Sequence, residues 1–361
     1  MKDDYVCNQE IIMAARRKLS HIAWSYLSGG AESETTMRRN RLGLDSLAFR
    51  PRVLRDVSKI VMSTSVLGHT LRIPVVLSPI GSLQALTPEG AVSLARATEA
   101  FGTMCFVSSV SQPSWEETAA ASNAPKVFQL YPRGDLKWME ETLGRVKRAG
   151  YNALCFTVDI AFYGHRERQM MNNWLPPSRP NDPNNIYQRS MTWETIDAIR
   201  EIWDLPFVLK GVATPEDAEM AVEHGIDVVF VSNHGGRALD HALATIDMLE
   251  EVVAAVGGET DILVDGGFVR GSDIIKALCL GAKAVGIGKL QGWALAAGGE
   301  TGLVRALEML EEEIMGTMAL LGVTDLDQLG PEYVRKAIPV AHTNELSAFV
   351  HLPNDLKNSV A

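Results

Sequence analysis

The chain has 361 residues, of which 46% are hydrophobic and 22% are charged, a composition typical of globular proteins. Its 34 basic and 44 acidic residues give a net charge of −10, which argues against binding to nucleic acid or to an anionic membrane. No apolar run approaches the roughly 18 residues of a membrane span. The N-terminal sequence MKDDYVCNQE is charged and has no apolar signal core, so we expect a cytoplasmic location.

The four cysteines are far apart in the sequence and form no CxxC motif or Cys/His cluster. Cys105 and Cys155 stand inside apolar runs, where a buried free thiol is the simplest interpretation. We therefore expect no metal site.

The predicted elements begin with an N-terminal extension over residues 1–74. It contains one clear helix, roughly from Asn8 to Leu27, which stops at the glycine pair Gly29-Gly30.

Eight short apolar runs follow, each leading through a polar turn into an amphipathic segment of helix length. The runs are VVLSP from Val75, MCFV from Met104, KVFQL from Lys126, ALCFTVD from Ala153, FVLKG from Phe207, VVFVSN from Val228, ILVDGG from Ile262 and AVGIGK from Ala284. Three of the intervening segments, 89–102, 136–150 and 215–225, end in glycine where a helix C-cap is expected.

Apolar strands that alternate with helices predict a parallel sheet covered on both faces. Eight such units predict an α/β protein with a (β/α)8 TIM barrel over residues 75–321, and we expect residues 1–361 to form a single domain. The alternative is a doubly wound open sheet, but no GxGxxG motif follows the first strand, and the count of eight favours closure.

Three further segments lie outside this alternation. Residues 172–192, rich in Pro and Asn, are predicted to form a loop after the fourth strand. A long amphipathic helix is expected from Leu303 to Leu321. The C-terminal segment, 322–361, has no strong pattern from about Ala341 onward.

Polar residues concentrate at the C-terminal ends of the predicted strands, where barrels of this kind build their active sites. They are Ser78-Pro79, Ser108-Ser109, residues 129–131, residues 157–159, Lys210, residues 232–234, residues 265–267 and Gly288-Lys289. Each has an alternative explanation: a lone Asp or Thr caps a helix, a lysine reaches to the surface, and a single histidine is structural. Their coincidence at all eight ends favours a site.

The glycine-rich turns after the seventh and eighth strands point to an anion. Backbone N–H groups at such turns and at helix N-termini bind phosphate, and this is the usual phosphate position in TIM barrels. The turns do not distinguish a phosphorylated substrate from a phosphorylated cofactor.

The motifs VSNHGGRALD (231–240), DGG…GSD, FQLY, TVD and LKG identify a family. With them the chain resembles the FMN-dependent 2-hydroxy acid oxidases and dehydrogenases, which include glycolate oxidase, lactate oxidase and mandelate dehydrogenase. The resemblance runs from about Ala23 to Leu321 and is nearest to the mandelate-type members. It implies FMN as cofactor, oxidation of an (S)-2-hydroxy acid to the 2-oxo acid, O₂ or another electron acceptor, and a homotetramer.

The resemblance also implies catalytic and substrate-binding roles. His234 is the base that acts on the substrate, and Asp159 orients and stabilises its imidazole. Arg166 and Arg237 grip the carboxylate, while Tyr26 and Tyr131 supply hydroxyl groups to the carboxylate and the reacting oxygen. Lys210 stands beside the flavin N1/C2 oxygen, where negative charge develops on reduction.

The implied FMN-binding residues come from the C-terminal ends of all eight predicted strands. They are Pro79, Ile80, Gly81, Ser108, Gln129, Tyr131, Thr157, Lys210, Ser232, Asp265, Gly266, Gly267, Gly288 and Lys289.

The phosphate end departs from the family pattern. Val269 stands where DGG-x-R-x-G has its arginine, and an arginine, Arg270, follows one place later. Lys289 replaces a second arginine and keeps the charge without the bidentate fork. We expect FMN to bind through backbone amides, Lys289 and Asp265, more weakly than in other members.

The substrate end departs as well. Gly81 and Val110 replace larger residues above the flavin, which predicts a substrate with a bulky or aromatic side chain, although Phe162 and Tyr163 add bulk after the fourth strand. The loop at 172–192 is shorter than the family's usual lid and lacks the long apolar insertion that anchors some relatives in membranes. We therefore expect a soluble enzyme whose active site has a more open mouth.

Two alternatives to this enzyme remain. A barrel that no longer holds FMN could serve as a binding or scaffold protein. A flavin enzyme of a biosynthetic pathway could use a specialised acid or decarboxylate its product.

Overall fold

The computed structural model describes residues 5–177, 186–340 and 343–353. Its N-terminal extension comprises three helices and three short strands. They are α1 (Asn8–Lys18), α2 (His21–Ser28), α3 (Thr35–Asp45), β1 (Leu47–Phe49), β2 (Thr64–Val66) and β3 (His69–Leu71). Strands β2 and β3 pair with each other in antiparallel register.

Eight parallel strands close into a barrel, which confirms the predicted fold class. They are β4 (Val75–Leu77), β5 (Met104–Ser108), β6 (Lys126–Leu130), β7 (Ala153–Thr157), β8 (Phe207–Val212), β9 (Val228–Val231), β10 (Asp261–Val264) and β11 (Ala284–Ile287). Each pairs with the next in chain order, and β11 pairs with β4 to complete the circle. Their residues are almost all buried, as strands covered on both faces require.

Helices surround the barrel. They are α4 (Ala91–Phe101), α5 (Trp115–Ala120), α6 (Leu136–Arg148), α7 (Glu167–Met171), α8 (Ile186–Arg189), α9 (Trp193–Ile202), α10 (Pro215–Glu223), α11 (Thr245–Val256), α12 (Gly271–Cys279) and α13 (Lys289–Leu321). Four short 3-10 helices and a last strand, β12 (Val334–Lys336), complete the elements, and β12 pairs antiparallel with β1. Among the described helices, none combines the length and the apolar character that a membrane crossing requires.

Two helix predictions need correction. The single helix expected from Asn8 to Leu27 is two helices, because Leu19 is extended and the Ser20 side chain caps a new helix at Ala23 N. The helix expected from Leu303 to Leu321 is present as the part of α13 after the kink at Gly298 and Gly299, so only its start needs correction, and a separate helical segment from Lys289 precedes the kink.

The segment predicted as a loop over residues 172–192 is only partly irregular. It contains the one-turn helix α8, while residues 178–185 lie outside the described part of the chain. The prediction that three helices end at glycine is confirmed. Gly102 is the C-cap of α4, and Gly150 and Gly225 follow α6 and α10 with positive φ angles.

The described C-terminal residues, 343–353, form neither helix nor strand but are well packed. Leu346, Phe349 and Leu352 are 1%, 0% and 3% exposed and belong to the main hydrophobic core.

Candidate active site

A large cavity opens at the C-terminal ends of the barrel strands and holds about 1820 Å³ of empty space, including its mouth. Eleven of the predicted cofactor residues line it: Pro79, Ile80, Gly81, Tyr131, Thr157, Lys210, Asp265, Gly266, Gly267, Gly288 and Lys289. The predicted substrate residues Tyr26, Arg166, His234 and Arg237 line the same cavity. The structure therefore brings together residues from both ends of the chain.

Three predicted cofactor residues lie one layer behind the cavity wall. Ser108 donates to Gln129 Oε1 at 2.7 Å, and Gln129 Nε2 donates to Thr157 Oγ1 at 3.0 Å, which links β5, β6 and β7. Ser232 is fully buried and accepts a 2.7 Å hydrogen bond from Lys210 Nζ. These side chains fix the polar groups that do reach the cavity.

Lys210 is paired with Asp265. Its Nζ lies 3.0 Å from Asp265 Oδ2, and Ser232 donates to Asp265 Oδ1 at 2.6 Å. Burial lowers the pKa of Lys210, but the charges of Asp265 and Asp159 outweigh it, so the net pKa is raised. Lys210 is therefore a fixed positive charge, held across strands β8, β9 and β10.

His234 and Asp159 form a hydrogen-bonded pair. His234 Nδ1 lies 2.8 Å from Asp159 Oδ1, while Nε2 lies 3.4 Å from the Tyr131 hydroxyl. Burial raises the pKa of Asp159, but the His234 charge and hydrogen bond, with Lys210, bring it below its usual value. An Nδ1–H that donates to a carboxylate leaves the Nε2 lone pair free to accept a proton.

The backbone around His234 explains the two glycines that follow it. His234, Gly235 and Gly236 all have positive φ angles, of 57°, 64° and 73°, a conformation that glycine adopts without strain. A Cβ on Gly236 would lie 2.5 Å from Met37 N, so only glycine fits between this turn and α3. The turn aims the imidazole into the cavity at the end of β9.

A second glycine brings Asp159 close. Gly211 has a φ of 111°, and a Cβ there would lie 2.7 Å from Asp159 Cβ. The register of β8 against β9 shifts between Lys210 and Val212, at this same residue. The glycine of the LKG sequence therefore follows Lys210 directly and leaves room for Asp159 at the end of the neighbouring strand.

Two arginines, of which Arg166 is buried and Arg237 is half-buried, lie close together. Arg237 Nη1 donates to the carbonyl oxygens of Tyr26 and Gly29, at 2.6 and 3.0 Å, and Arg166 Nε donates to the Arg237 carbonyl at 3.0 Å. Burial and the neighbouring Arg166 charge lower the pKa of Arg237 to about 10. Two like charges held together in this way favour an anion between them.

The two predicted tyrosines are neutral hydrogen-bonding groups. Burial raises the pKa of both Tyr26 and Tyr131. The Tyr26 hydroxyl donates to the Gly81 carbonyl at 2.7 Å, and Arg237 stacks on its ring at 5.0 Å.

Around the glycine turns that follow β10 and β11, the cavity wall presents few charges. Arg270 turns away and pairs with Glu313 at 2.9 Å, as the one-residue shift suggested. Val269 lines the cavity but offers no charge. Lys289 Nζ donates to the Ser28 carbonyl at 2.9 Å, and burial lowers its pKa to about 8.

Sequence reasoning missed several cavity residues. Met37, Asn40, Arg41, Arg133, Phe268, Trp293 and Glu345 all line the cavity. Arg41 had a possible signal, since an arginine among the apolar positions of α3 needs a buried partner, which Asp273 provides at 2.7 Å. Glu345 had none, because its segment carries no periodic pattern.

Comparison with known proteins identifies the family. The model of the FMN-dependent dehydrogenase family matches residues 15–336. The chain belongs to this family. Its cofactor is accordingly FMN and it is an oxidoreductase, which confirms the predicted family and favours the enzyme over the scaffold protein.

Relatives with named activities are similar over nearly their whole length. A peroxisomal (S)-2-hydroxyacid oxidase from Arabidopsis thaliana is 38% identical over 352 residues, which cover 92% of this chain and 97% of the relative. An L-lactate oxidase from Nostoc is 37% identical, with 89% and 95% covered. A solved structure of mandelate oxidase is similar with a TM-score of 0.87 at 37% identity, covering 92% of this chain and 100% of the other.

The cavity of this family member fits FMN well at one end and less well at the other. The Thr157 and Lys210 side chains offer hydrogen bonds and a positive charge suited to the polar edge of a flavin ring, and Gly81 leaves the opposite wall without a Cβ. Around Lys289, the other charged residues that line the cavity, apart from Arg237, are Glu345 and Arg41, and Arg41 is already paired with Asp273 and Asp45. The donor set therefore fits the ring better than it fits a phosphate dianion.

Proposed function

We propose that the protein oxidises an (S)-2-hydroxy acid with a bulky or aromatic side chain to the 2-oxo acid. The observation that carries this proposal is that the His234–Asp159 pair faces the same cavity as Arg166 and Arg237. A base and a carboxylate-binding pair in one cavity match the two polar groups of a 2-hydroxy acid.

The two arginines hold the substrate carboxylate in this proposal. Arg237 is fixed by carbonyl groups at the end of α2, and Arg166 stacks on the Tyr163 ring at 4.1 Å, so neither guanidinium has to be ordered when substrate binds. Tyr131 then donates a hydroxyl hydrogen bond to a substrate oxygen, and Tyr26 does the same when its hydroxyl turns away from the Gly81 carbonyl.

His234 takes the proton that leaves the substrate, from its hydroxyl group or from Cα. The Asp159 carboxylate, which is ionised, stabilises the imidazolium that results. FMN, when bound, would accept the two electrons and pass them to O₂ or another acceptor. Lys210 and Thr157 form the polar wall that we propose for its ring, and Gln129 supports Thr157 from behind.

The apolar part of the cavity supports a bulky side chain on the substrate. Ile80, Val110, Ile160 and Phe162 are among the apolar residues that line it. The Val110 side chain already takes up part of the space beside Gly81, because a Cβ on Gly81 would lie 2.8 Å from Val110 Cγ2. Structures similar to this chain include mandelate oxidase with (S)-4-hydroxymandelic acid, an aromatic 2-hydroxy acid.

We also propose a cytoplasmic location and a homotetramer, as expected from the sequence and from the family resemblance. Cell fractionation tests the first, and light scattering of the purified protein tests the second.

Anaerobic titration of the FMN-loaded protein with a panel of 2-hydroxy acids tests the substrate. The visible flavin band should bleach with (S)-mandelate faster than with glycolate, and not with (R)-mandelate. Bleaching by glycolate alone would reject the bulky side chain, and no bleaching by any 2-hydroxy acid would reject the substrate class.

A further inference from the structure

The C-terminal segment 343–353 lies against the Lys289 end of the cavity. Its buried apolar side chains anchor it, and the Arg270 guanidinium lies 5.5 Å from the Phe349 ring. The His351 backbone N–H donates to Gln9 Oε1 at 2.7 Å. The segment is therefore tied to both α1 and the start of α12.

Glu345 brings a negative charge from this segment into the cavity wall. Its side chain is only 12% exposed and lies 3.9 Å from Arg168. Arg168 is also paired with Glu34. The charged side chains near Lys289 are therefore Arg168, Glu34 and Glu345, together with Arg237 of the substrate-binding pair.

Arg41 does not restore a positive charge at this end. Its guanidinium makes two 2.7 Å hydrogen bonds to Asp273, one from each terminal nitrogen, and two to Asp45 at 2.7 and 3.0 Å. A further N–H contacts the Gly267 carbonyl at 3.3 Å. With two carboxylates around it, this arginine leaves no surplus charge for a phosphate.

We propose that Glu345 determines how the site discriminates between flavins: its carboxylate opposes the phosphate of FMN, so that FMN binds only slightly more tightly than riboflavin. The charges of Lys289 and Arg168 are matched by those of Glu34 and Glu345, so the only surplus positive charge near Lys289 is that of Arg237, which we assign to the substrate carboxylate. The cofactor thereby stays exchangeable. This inference rests on the proposed placement of the phosphate beside Lys289 and not on the substrate.

Dissociation constants for FMN and riboflavin test the proposal without any turnover. Both flavins are titrated by fluorescence quenching against the full chain, Glu345→Gln and Glu345→Asp. Glu345→Gln should bind FMN roughly ten- to hundredfold more tightly because the repulsion between like charges is removed. Riboflavin should change by less than about twofold, and Glu345→Asp should behave like the parent.

Glu312→Gln, an equal change of charge at a carboxylate that is 62% exposed on α13, is the control and should leave both constants unchanged. Circular dichroism checks that each variant is folded. An unchanged FMN constant in folded Glu345→Gln, or equal tightening of both flavins, overturns the proposal. If Val269→Arg tightens FMN while Glu345→Gln does not, the phosphate placement stands and only the role of Glu345 fails. If neither flavin binds to any variant, the phosphate placement and the role of Glu345 are both rejected.

Discussion

The Asp159 carboxylate and the His234 imidazole are joined by a 2.8 Å hydrogen bond across 75 positions of the sequence. The second carboxylate oxygen, Asp159 Oδ2, is buried without a hydrogen-bond partner among the described residues. A buried carboxylate with one partner is costly unless that partner carries charge. This arrangement therefore favours the imidazolium that forms when His234 accepts a proton.

Asp159→Asn should slow flavin reduction while FMN remains bound. The amide keeps the shape and accepts a hydrogen bond from Nδ1, but it cannot stabilise a positive imidazole by charge. We expect a loss of roughly a hundredfold or more in the reduction rate, within the range for acid–base groups. Anaerobic stopped-flow absorbance measures it. A variant that reduces FMN at the parent rate would show that Asp159 only supports the turn.

Val269→Arg should tighten FMN, because it returns a guanidinium to the wall of the phosphate end. A hydrogen bond to a charged group contributes about 1.5–3 kcal/mol, equivalent to roughly ten- to hundredfold in affinity. Val269→Gln has similar length without charge and is the matched control. Equal affinities of the two variants for FMN would place the phosphate elsewhere.

The affinity for FMN should fall as pH rises through the pKa of Lys289, about 8. Below this pH the ammonium is charged and attracts the phosphate, and above it the attraction is lost. We expect roughly tenfold weaker binding at about pH 9.5 than at about pH 7, with riboflavin unaffected. Lys289→Arg, which stays charged throughout, should abolish the dependence. A parallel fall for riboflavin would trace the effect to another group.

Arg41→Met should destabilise the fold strongly. It leaves the buried Asp273 carboxylate without its partner, which costs about 3–5 kcal/mol in the free energy of unfolding. Arg72→Met breaks a pair whose arginine is 48% exposed and should cost about 0–1 kcal/mol. Urea denaturation midpoints compare the two. Similar midpoints would mean that Asp273 finds other partners.

The barrel could be predicted because its strands carry a local signal. The run VVFV is apolar at every position and KVFQL is apolar at three of its five, as strands covered on both faces favour. The break at Leu19 and Ser20 was missed because no Gly or Pro marks it. It depends on a serine cap, a weaker signal within an otherwise apolar periodicity.

The site was predictable where motif residues stand at strand ends and less so elsewhere. The pairing of Lys210 with Asp265 crosses from β8 to β10 and follows from barrel closure, not from spacing. Glu345 reaches the cavity only because Leu346 and Phe349 are buried beside it, a long-range packing effect with no periodic signature.

Flavin reduction by His234→Ala tests the central claim most directly. The FMN-loaded variant is mixed anaerobically with (S)-mandelate, and the bleaching rate is compared with that of the parent and of His241→Ala, whose imidazole is 66% exposed. We predict FMN binding within about twofold of the parent and a bleaching rate lower by about 10²–10⁴-fold, with His241→Ala unchanged. Bleaching of His234→Ala at the parent rate would contradict the assignment of His234 as the base.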